Sequence, residues 1–454
     1  MNSATDHSEA RATVPSAKRV KARNPFTIMM LLAVGAPVGC GNDPPATKDV
    51  IGDARPYALG TWALSYDAGA TPPLIPAIEA NTADTEALVV SFEHLGLPWD
   101  SFRGPSNTPA APPTTWINAV DALIASARAS GRTFILAISP LSLEVDTIAA
   151  NAREDGGLLL VDTAFKPTCF DPSRETRPED LRERFARYAA WLVNRARPDQ
   201  AIIGRRLNIY EATCNSAAYS GMLGYVAAAT RAVRALADEP VVETQGPFVV
   251  PTIIHGLDGE DLFGLPAKPG RCPGAGHEAC LAARAPVIAT FKAELAGAAA
   301  ADIVGLEVYP AAWVVANGGD EIPARYIPLL VAALDVPQTA IIGTGLPAGT
   351  IQAREGPCVP WYVGDEDTQA RWLDRVLSDA KDLGMPLVIW RSMRDLAPAA
   401  VVTSCPCAGD FDLCSHLSDL GARANTRRAR LTEGLIANDG TERAAMGIWR
   451  AAFE

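Results

Sequence analysis

The feature that most constrains the fold is the alternation of short apolar segments with longer amphipathic ones along most of the chain. Eight apolar segments have the length and β-branched content of buried strands. Segments of helical period separate them, an order typical of parallel strands joined by crossover helices. We therefore predict an α/β fold, a single-domain (β/α)8 TIM barrel, with a doubly wound sheet as the alternative. The predicted strands are residues 57–64, 87–93, 133–139, 201–210, 240–246, 302–309, 339–343 and 386–391.

Helical period is clearest over residues 178–197, where apolar side chains repeat along one face. Pro178 begins this segment and Pro198 stops it, as expected of prolines at helix boundaries. The other predicted helices are residues 116–129, 216–237, 324–335, 367–383 and 442–452.

The composition fits a globular protein and excludes one class of partner. Hydrophobic residues make up 48% of the 454 residues and charged residues 20%, which is enough apolar surface for a large core. The formal net charge of −12 repels phosphate backbones. We therefore expect no nucleic-acid partner.

The first 39 residues have the pattern of a signal peptide. Basic residues precede an apolar run from Phe26 to Val38, which is shorter than the roughly 20 residues that span a bilayer. The run ends in small residues before Cys40, which resembles the lipobox of bacterial lipoproteins and implies acylation of Cys40. Pro37 stands where that motif usually has leucine, so simple secretion remains the alternative.

These features divide the chain into three parts. Residues 1–39 are the predicted signal peptide, residues 40–54 a lipid anchor with a flexible polar tether, and residues 55–454 the barrel. We expect a protein exported to the bacterial cell envelope and attached to a membrane through lipid.

An even number of cysteines follows Cys40, and in an exported chain this indicates disulfides bracing the βα loops. Cys272 and Cys280 are the predicted pair because they lie close in sequence. His277 between them leaves a zinc loop as the weaker alternative, but no second pair of ligands is near, so we predict no metal. The eight cysteines are Cys169, Cys214, Cys272, Cys280, Cys358, Cys405, Cys407 and Cys414.

Two carboxylates are candidates for catalysis, because barrel chemistry belongs at the carboxyl ends of the strands. Glu211 follows the fourth predicted strand, where partial burial would suit a general acid; the alternative is a surface glutamate. In the sixth strand, side chains alternate between the two faces, so Glu307 and Tyr309 are predicted to point into the barrel. A buried carboxylate is costly unless it is functional or paired, and the alternative to function is an ion pair with Arg206 or Arg391.

Aromatic rings beside carboxylates are the side chains that a carbohydrate cleft needs. Trp99, in a proline-bearing loop, and Trp390, at a strand end, are the two tryptophans predicted to face a ligand. No Walker, GxSxG or HExxH motif is present, and the glycines of residues 343–349 fit a dinucleotide loop poorly, so no cofactor is predicted. The predicted ligand-binding residues are Trp62, Glu93, His94, Trp99, Asn208, Tyr210, Gln245, Tyr309, Trp390, Arg391 and Asp395.

The chain resembles the secreted barrels of glycoside hydrolase clan A, nearest to arabinogalactan endo-β-1,4-galactanase-like proteins. The resemblance runs from Tyr57 to Trp449 and rests on the order of the segments FEHLGLPWDSF, FILAISPLS, LNIYEATC, VVETQGPF, IVGLEVYP, IIGTGLPAG, VIWRSMRD and GLIANDGTERAAMGIW. It implies a carbohydrate ligand and an acid/base role for Glu211, although Tyr210 precedes it where the family usually has asparagine.

The resemblance also implies a nucleophile glutamate at the end of strand seven, where this chain has Gly343. Because a retaining mechanism needs two carboxyl groups, two functions stay open. One is a glycosidase in which Glu307 serves as nucleophile or as base for water. The other is a catalytically silent barrel that binds a glycan or a partner at the cell surface.

Overall fold

A computed structural model describes most of the region predicted to form the barrel. The described residues are 55–63, 84–92, 95–103, 111–141, 148–149, 151–152, 158–159, 178–238, 247–263, 277–311, 314, 322–352, 360–395, 432–437 and 439–453. The chain divides into two units, Met1–Asp53 and Ala54–Glu454, and all described residues belong to the second. The predicted signal peptide, tether and Cys40 lie outside them.

Eight parallel strands close into a barrel, which confirms the predicted (β/α)8 fold. Each strand pairs with its neighbours in chain order, and β1 closes the barrel against β8. The strands are β1 (Ala58–Trp62), β2 (Ala87–Ser91), β3 (Thr133–Ile138), β4 (Gln200–Ile203), β5 (Thr252–Asp258), β6 (Ile303–Val308), β7 (Thr339–Thr344) and β8 (Leu387–Trp390).

Helices follow the strands, and each predicted helix is present within a few residues of its expected bounds. They are α1 (Thr114–Ala129), α2 (Pro178–Ala196), α3 (Leu207–Thr213), α4 (Ser216–Ala235), α5 (Gly259–Leu262), α6 (His277–Glu294), α7 (Tyr326–Leu334), α8 (Glu366–Asp382) and α9 (Ala444–Phe453). Single 3₁₀ turns form at Trp99–Phe102, Leu236–Asp238 and Gly297–Ala299. Two short antiparallel pairs join Asn151–Ala152 to Leu158–Leu159 and Ile351–Gln352 to Pro360–Tyr362. Within the described residues, no helix combines the length and apolarity needed to cross a bilayer.

Side-chain caps fix the starts of three helices. The Asn215 side chain accepts a 2.8 Å hydrogen bond from the Ala218 amide and begins α4. Asp365 caps α8 through the Thr368 amide at 2.7 Å. Asp258, the last residue of β5, caps α5 in the same way. Each cap satisfies an amide that the helix itself leaves without an acceptor.

Two predicted strands differ from the structure. The fourth was predicted to run to residue 210, but β4 ends at Ile203 because the backbone turns sharply there. Gly204 and Arg206 both have positive φ, at 81° and 47°, and the chain then forms α3. The fifth barrel strand is β5 and not residues 240–246, which lie outside the described residues. Because of these two corrections, the residues that surround the barrel mouth differ from those that the sequence predicted.

The core has two layers, as a closed barrel requires. Alternate strand residues, mostly branched aliphatic ones, fill the barrel interior beneath Trp62. The other residues of each strand pack outward against the helices. Val304, Leu306 and Val308 belong to this outer layer, which confirms the predicted division of β6 into two faces.

The predicted disulfide between Cys272 and Cys280 is not confirmed. Cys280 is buried in α6, and Cys272 lies outside the described residues. The bridge and the other disulfides therefore remain predictions.

His255 is a buried titratable group on the outer face of β5. Its Nε2 lies 2.9 Å from the Thr230 hydroxyl on α4, and its ring meets Phe291 edge-on. Burial lowers the pKa of His255 to about 3, and Arg234 acts in the same direction. The folded protein therefore holds this imidazole neutral at a pH where a solvated histidine is protonated.

We expect His255 to make the fold less stable as the pH falls. Its folded pKa is below the ordinary value of 6.5, so its stabilisation is complete above that pH and is lost progressively toward pH 3. At pH 5 the loss is about 2 kcal/mol. Urea unfolding of the wild type and His255→Gln at pH 7.5 and 5.0 measures it, and the variant should lose less stability between the two. An equal loss in both proteins would contradict this assignment.

Candidate functional site

The carboxyl ends of the strands carry a connected set of large side chains inside the barrel mouth. We call this set the mouth layer; its members are Trp62, Arg205, Glu307, Tyr309 and Arg391. Sequence analysis selected four of them. It missed Arg205, because this arginine was placed inside an overlong fourth strand. The signal for it was the Gly-Arg-Arg sequence directly after the apolar part of that strand.

The centre of the mouth layer is an ion pair between Arg205 and Glu307. Arg205 Nε lies 2.9 Å from Glu307 Oε1, and Arg205 Nη2 lies 3.0 Å from Oε2. Glu307 is fully buried, and burial alone would raise its pKa. Arg205, Arg206 and Arg391 together outweigh burial and hold the pKa of Glu307 below its usual value. The carboxylate is therefore ionised, with both oxygens bound by one guanidinium.

Glu307 therefore forms a buried ion pair, the interpretation that the sequence offered beside a functional role. The predicted partners were Arg206 and Arg391, and the bidentate partner is Arg205 instead. Arg206 binds Asp258, with its Nε 2.8 Å from Asp258 Oδ2, and reaches Glu307 only through its charge. The pairing differs from the expectation because Arg205 and Arg206 lie in the turn after β4, not in a strand.

Trp62 supports the guanidinium from the other side. The Arg205 Cζ atom stands 4.0 Å from the centre of the Trp62 ring, a close cation–π contact. Trp62 Nε1 donates a 2.8 Å hydrogen bond to the Ile342 carbonyl on β7, which fixes the ring across the barrel. Arg205 therefore covers one face of the Trp62 ring.

The space in front of Gly343 is occupied by neighbouring side chains. Glu307 and Gly343 are directly paired in the β6–β7 register. A Cβ atom on Gly343 would stand 2.6 Å from the Tyr309 hydroxyl and 3.2 Å from Glu307 Cγ. Arg391 Nη1 lies 3.2 Å from that hydroxyl and helps to hold it. Glycine is needed here because Tyr309 and Glu307 take the volume of a side chain.

Glu211 lies in α3 rather than at a strand end. Arg284 of α6 binds it, with Nη1 2.5 Å from Glu211 Oε2, and the same guanidinium binds Asp261 with Nη2 2.5 Å from Oδ2. The prediction that Glu211 follows strand four directly is wrong, because α3 intervenes. The two predicted catalytic carboxylates are held in separate ion pairs.

Asn208 lies in α3 and bonds to the residues that end β5 and form α5. Its side-chain amide donates to the Asp258 carbonyl at 2.9 Å and to Asp261 Oδ2 at 2.7 Å, and its oxygen accepts from the Asp258 amide. Burial raises the pKa of Asp261 to about 7, although Arg284 opposes the shift. Asn208 thus joins α3 to the end of β5 and is buried.

Four other predicted ligand-binding residues lie in the packed layers or in an ion pair of the fold. Trp99 is buried and donates to the Ala149 carbonyl at 2.7 Å. Trp390 points outward from β8 into the strand–helix layer and donates to the Glu433 carbonyl at 2.8 Å. Tyr210 lies in the same layer, and Asp395 pairs with Arg443, their Oδ2 and Nη2 atoms 2.5 Å apart.

The remaining predicted ligand-binding residues, Glu93, His94 and Gln245, lie outside the described residues. Among the residues that the structure describes, no group of three or more histidine, cysteine, aspartate or glutamate side chains is placed to hold a metal ion.

Comparison with known proteins supports the fold. No family model matches the chain, and no curated protein matches it in sequence. Among solved structures, the GH5_18 protein of Streptomyces cattleya in complex with GlcNAc aligns with a TM-score of 0.51 at 13% identity, over 88% of this chain and 79% of the other. A substituted form of it with Manβ1-4GlcNAc also aligns at 0.51, with 12% identity over 87% and 79%. A GH10 endoxylanase from a sugarcane soil metagenome aligns at 0.45, with 11% identity over 88% and 97%.

The two GH5_18 alignments, to glycoside hydrolase barrels at low identity, show the fold. The nearer resemblance to galactanase-like proteins is not confirmed.

The packing around Gly343 makes a specific prediction. Gly343→Ala places a methyl group against the Tyr309 hydroxyl and Glu307, and we expect it to cost about 1–3 kcal/mol of unfolding free energy. Gly349→Ala is the matched control in the same segment, since nothing lies within 4 Å of its added Cβ. Thermal and urea unfolding measure both. Equal stability of the two variants would show that the mouth layer is not packed as described.

Proposed function

We propose that this protein is a glycoside-hydrolase-like barrel that binds a carbohydrate at its mouth and does not hydrolyse it with a pair of carboxylates. The observation that carries the proposal is the bidentate ion pair of Arg205 and Glu307 beside Gly343. We further propose that the protein is exported and held at the cell envelope by a lipid on Cys40.

The charges at the mouth argue against acid/base chemistry. Hydrolysis of a glycosidic bond with two carboxyl groups requires one that is protonated and one that attacks directly or activates water. Glu307 has a lowered pKa and both oxygens on Arg205, so it is neither a proton donor nor a ready nucleophile. Glu211 is bound by Arg284, and Gly343 carries no carboxyl group.

Binding does not require the missing carboxylate. Arg205 is the most solvent-accessible member of the mouth layer, with its side chain 13% exposed above the buried Glu307 and Trp62. Guanidinium groups donate several hydrogen bonds, which suits the hydroxyl groups of a sugar. The GH5_18 barrel of similar fold holds GlcNAc, which supports a carbohydrate as the ligand class.

We expect the purified mature protein to bind a glycan without releasing reducing sugar. Calorimetry against soluble mannan, xylan, galactan and chitin oligosaccharides measures binding. A reducing-sugar assay on the same samples measures turnover.

Glu211→Gln and the wild type should release the same amount of reducing sugar, which is the background level of the assay. Glu442→Gln, an exposed glutamate paired with Arg450, is the control substitution. Sugar release that Glu211→Gln or Glu307→Gln abolishes and Glu442→Gln does not would contradict the proposal. Absence of binding to every glycan would contradict the carbohydrate assignment.

A further inference from the structure

The end of the barrel opposite the mouth, where the strands begin, carries an exposed apolar loop beside a group of arginines. We propose that this loop and the arginines dock on a lipid bilayer with anionic headgroups, so that the mouth faces away from the membrane. The inference rests on the proposed attachment to the cell envelope and goes beyond it, because it names the docking surface and the orientation of the barrel.

The loop comprises residues 247–251, with the sequence PFVVP, and leads into β5. Val249 is 78% exposed, and Phe248 and Val250 beside it are partly exposed. The first and last residues of the loop are prolines, which have no amide hydrogen. The loop therefore leaves few backbone donors without an acceptor when it loses contact with water, which lowers the cost of entering a bilayer interface.

Arg197, in the turn before β4, packs against this loop. Its Cζ atom lies 4.8 Å from the centre of the Phe248 ring, and its Nη1 donates a 3.3 Å hydrogen bond to the Pro247 carbonyl. Arg128, at the end of α1, donates in turn to the Ala196 carbonyl at 2.7 Å. The loop and the arginines therefore form one continuous surface.

This surface is positively charged, unlike the chain as a whole. We call it the basal surface; it consists of the neighbouring turns that lead into β3, β4 and β5, which are residues 128–133, 194–200 and 247–251. These turns contain four arginines and one acidic residue, Asp199, in a chain whose net charge is −12. Asp121 offsets the charge of Arg195 through two 2.6 Å hydrogen bonds. Positive charge remains in excess within these turns and their described partners.

An anionic bilayer matches both features of the basal surface. Valine and phenylalanine side chains insert at the boundary of the acyl chains, while guanidinium groups beside them stay at the level of the lipid phosphates. Apolar and basic residues on one face are the combination with which proteins bind membrane surfaces. The apolar area, one exposed valine with two partly exposed neighbours, is small for a protein interface, which buries about 800 Å² on each partner.

The proposed lipid anchor is joined to the barrel at the same end. Residues 40–54 form the predicted tether, and the described chain begins at Arg55, directly before β1. The barrel strands are parallel, so all of them begin at one end and the mouth lies at the other. A flexible linker of this length has an r.m.s. end-to-end distance of about 20 Å. The anchor therefore presents the basal surface to the bilayer at a high effective concentration, at which weak docking suffices.

The test places a tryptophan at either end of the barrel and measures which one a bilayer quenches. Val249→Trp marks the basal surface. Val363→Trp is the matched control, since Val363 is 71% exposed and lies between β7 and α8, on the mouth side. A hexahistidine tag in place of Cys40 holds the mature chain on vesicles of phosphatidylglycerol, phosphatidylcholine and a nickel-chelating lipid. Brominated acyl chains in these vesicles quench a tryptophan that contacts them.

We expect brominated vesicles to quench the added tryptophan of Val249→Trp and not that of Val363→Trp, after subtraction of the wild-type emission. Quenching of both tryptophans to the same extent, or of neither, would overturn the inference. Replacement of phosphatidylglycerol by phosphatidylcholine should reduce the quenching at position 249, because the arginines then meet no anionic headgroups. Quenching that is independent of phosphatidylglycerol would contradict the proposed lipid.

A second measurement needs neither the tag nor an added tryptophan. Val249→Asp should weaken the binding of the unanchored mature chain, Cys40→Ser, to phosphatidylglycerol vesicles by about tenfold, and Val363→Asp should leave it unchanged. Vesicle flotation measures the binding, and melting temperature checks that both variants fold. The inference is wrong if the two substitutions have the same effect. It is also wrong if the wild type forms a dimer that Val249→Asp abolishes and does not bind vesicles.

The two proposals fail differently. The tag replaces the lipid, so the quenching result does not depend on acylation of Cys40. A basal surface that does not meet the bilayer would leave glycan binding and the lipid on Cys40 standing. Absence of lipid on Cys40 in the native protein would remove the proposed attachment and leave the docking result intact.

Discussion

The arrangement of the barrel mouth depends on one buried ion pair. Glu307 is ionised and inaccessible to water, and it is tolerated there because Arg205 binds both of its oxygens. The pair brings together the turn after β4 and the interior of β6, and Trp62 covers the guanidinium from β1. The position of Glu307 also explains why residue 343 is a glycine, since Glu307 and Tyr309 fill the volume that a side chain there would need.

A second arginine binds the other predicted catalytic carboxylate, Glu211. Arg284 of α6 binds Glu211 of α3 and Asp261 of α5 at the same time. Asn208 links this cluster to the end of β5. The cluster therefore ties three helices together on the outer side of the mouth, while Arg205 and Glu307 close its interior. Both carboxylates that suggested hydrolysis are thus held by arginine side chains.

The fold was predictable from the sequence because the periodicity of the apolar residues is a local signal. Seven of the eight strands begin within a few residues of their predicted starts, and the alternation in β6 correctly turned Glu307 and Tyr309 inward. The exception is β5. The two adjacent valines in residues 240–246 favour a strand there, whereas the barrel strand is Thr252–Asp258.

The site was less predictable because its decisive contacts join distant parts of the chain. Arg205 and Glu307 are 102 positions apart, and no spacing rule connects them. The end of β4 depends on a positive φ at Arg206, a conformation that a side chain such as arginine rarely adopts. The prediction that Trp390 faces the mouth failed for another reason. Successive side chains of a strand point alternately into the barrel and toward the helices. Leu387 and Ile389 of β8 point inward, so Trp390 points toward the helices.

The central claim is that Arg205 and Glu307 act as one unit, and a double-mutant cycle on unfolding free energy tests it most directly. Arg205→Met and Glu307→Gln should each cost about 3–5 kcal/mol, because each leaves the other charge buried without its partner. The double variant should cost much less than their sum, giving a coupling energy of about 2 kcal/mol or more. Additive effects, with a coupling energy near zero, would contradict the account.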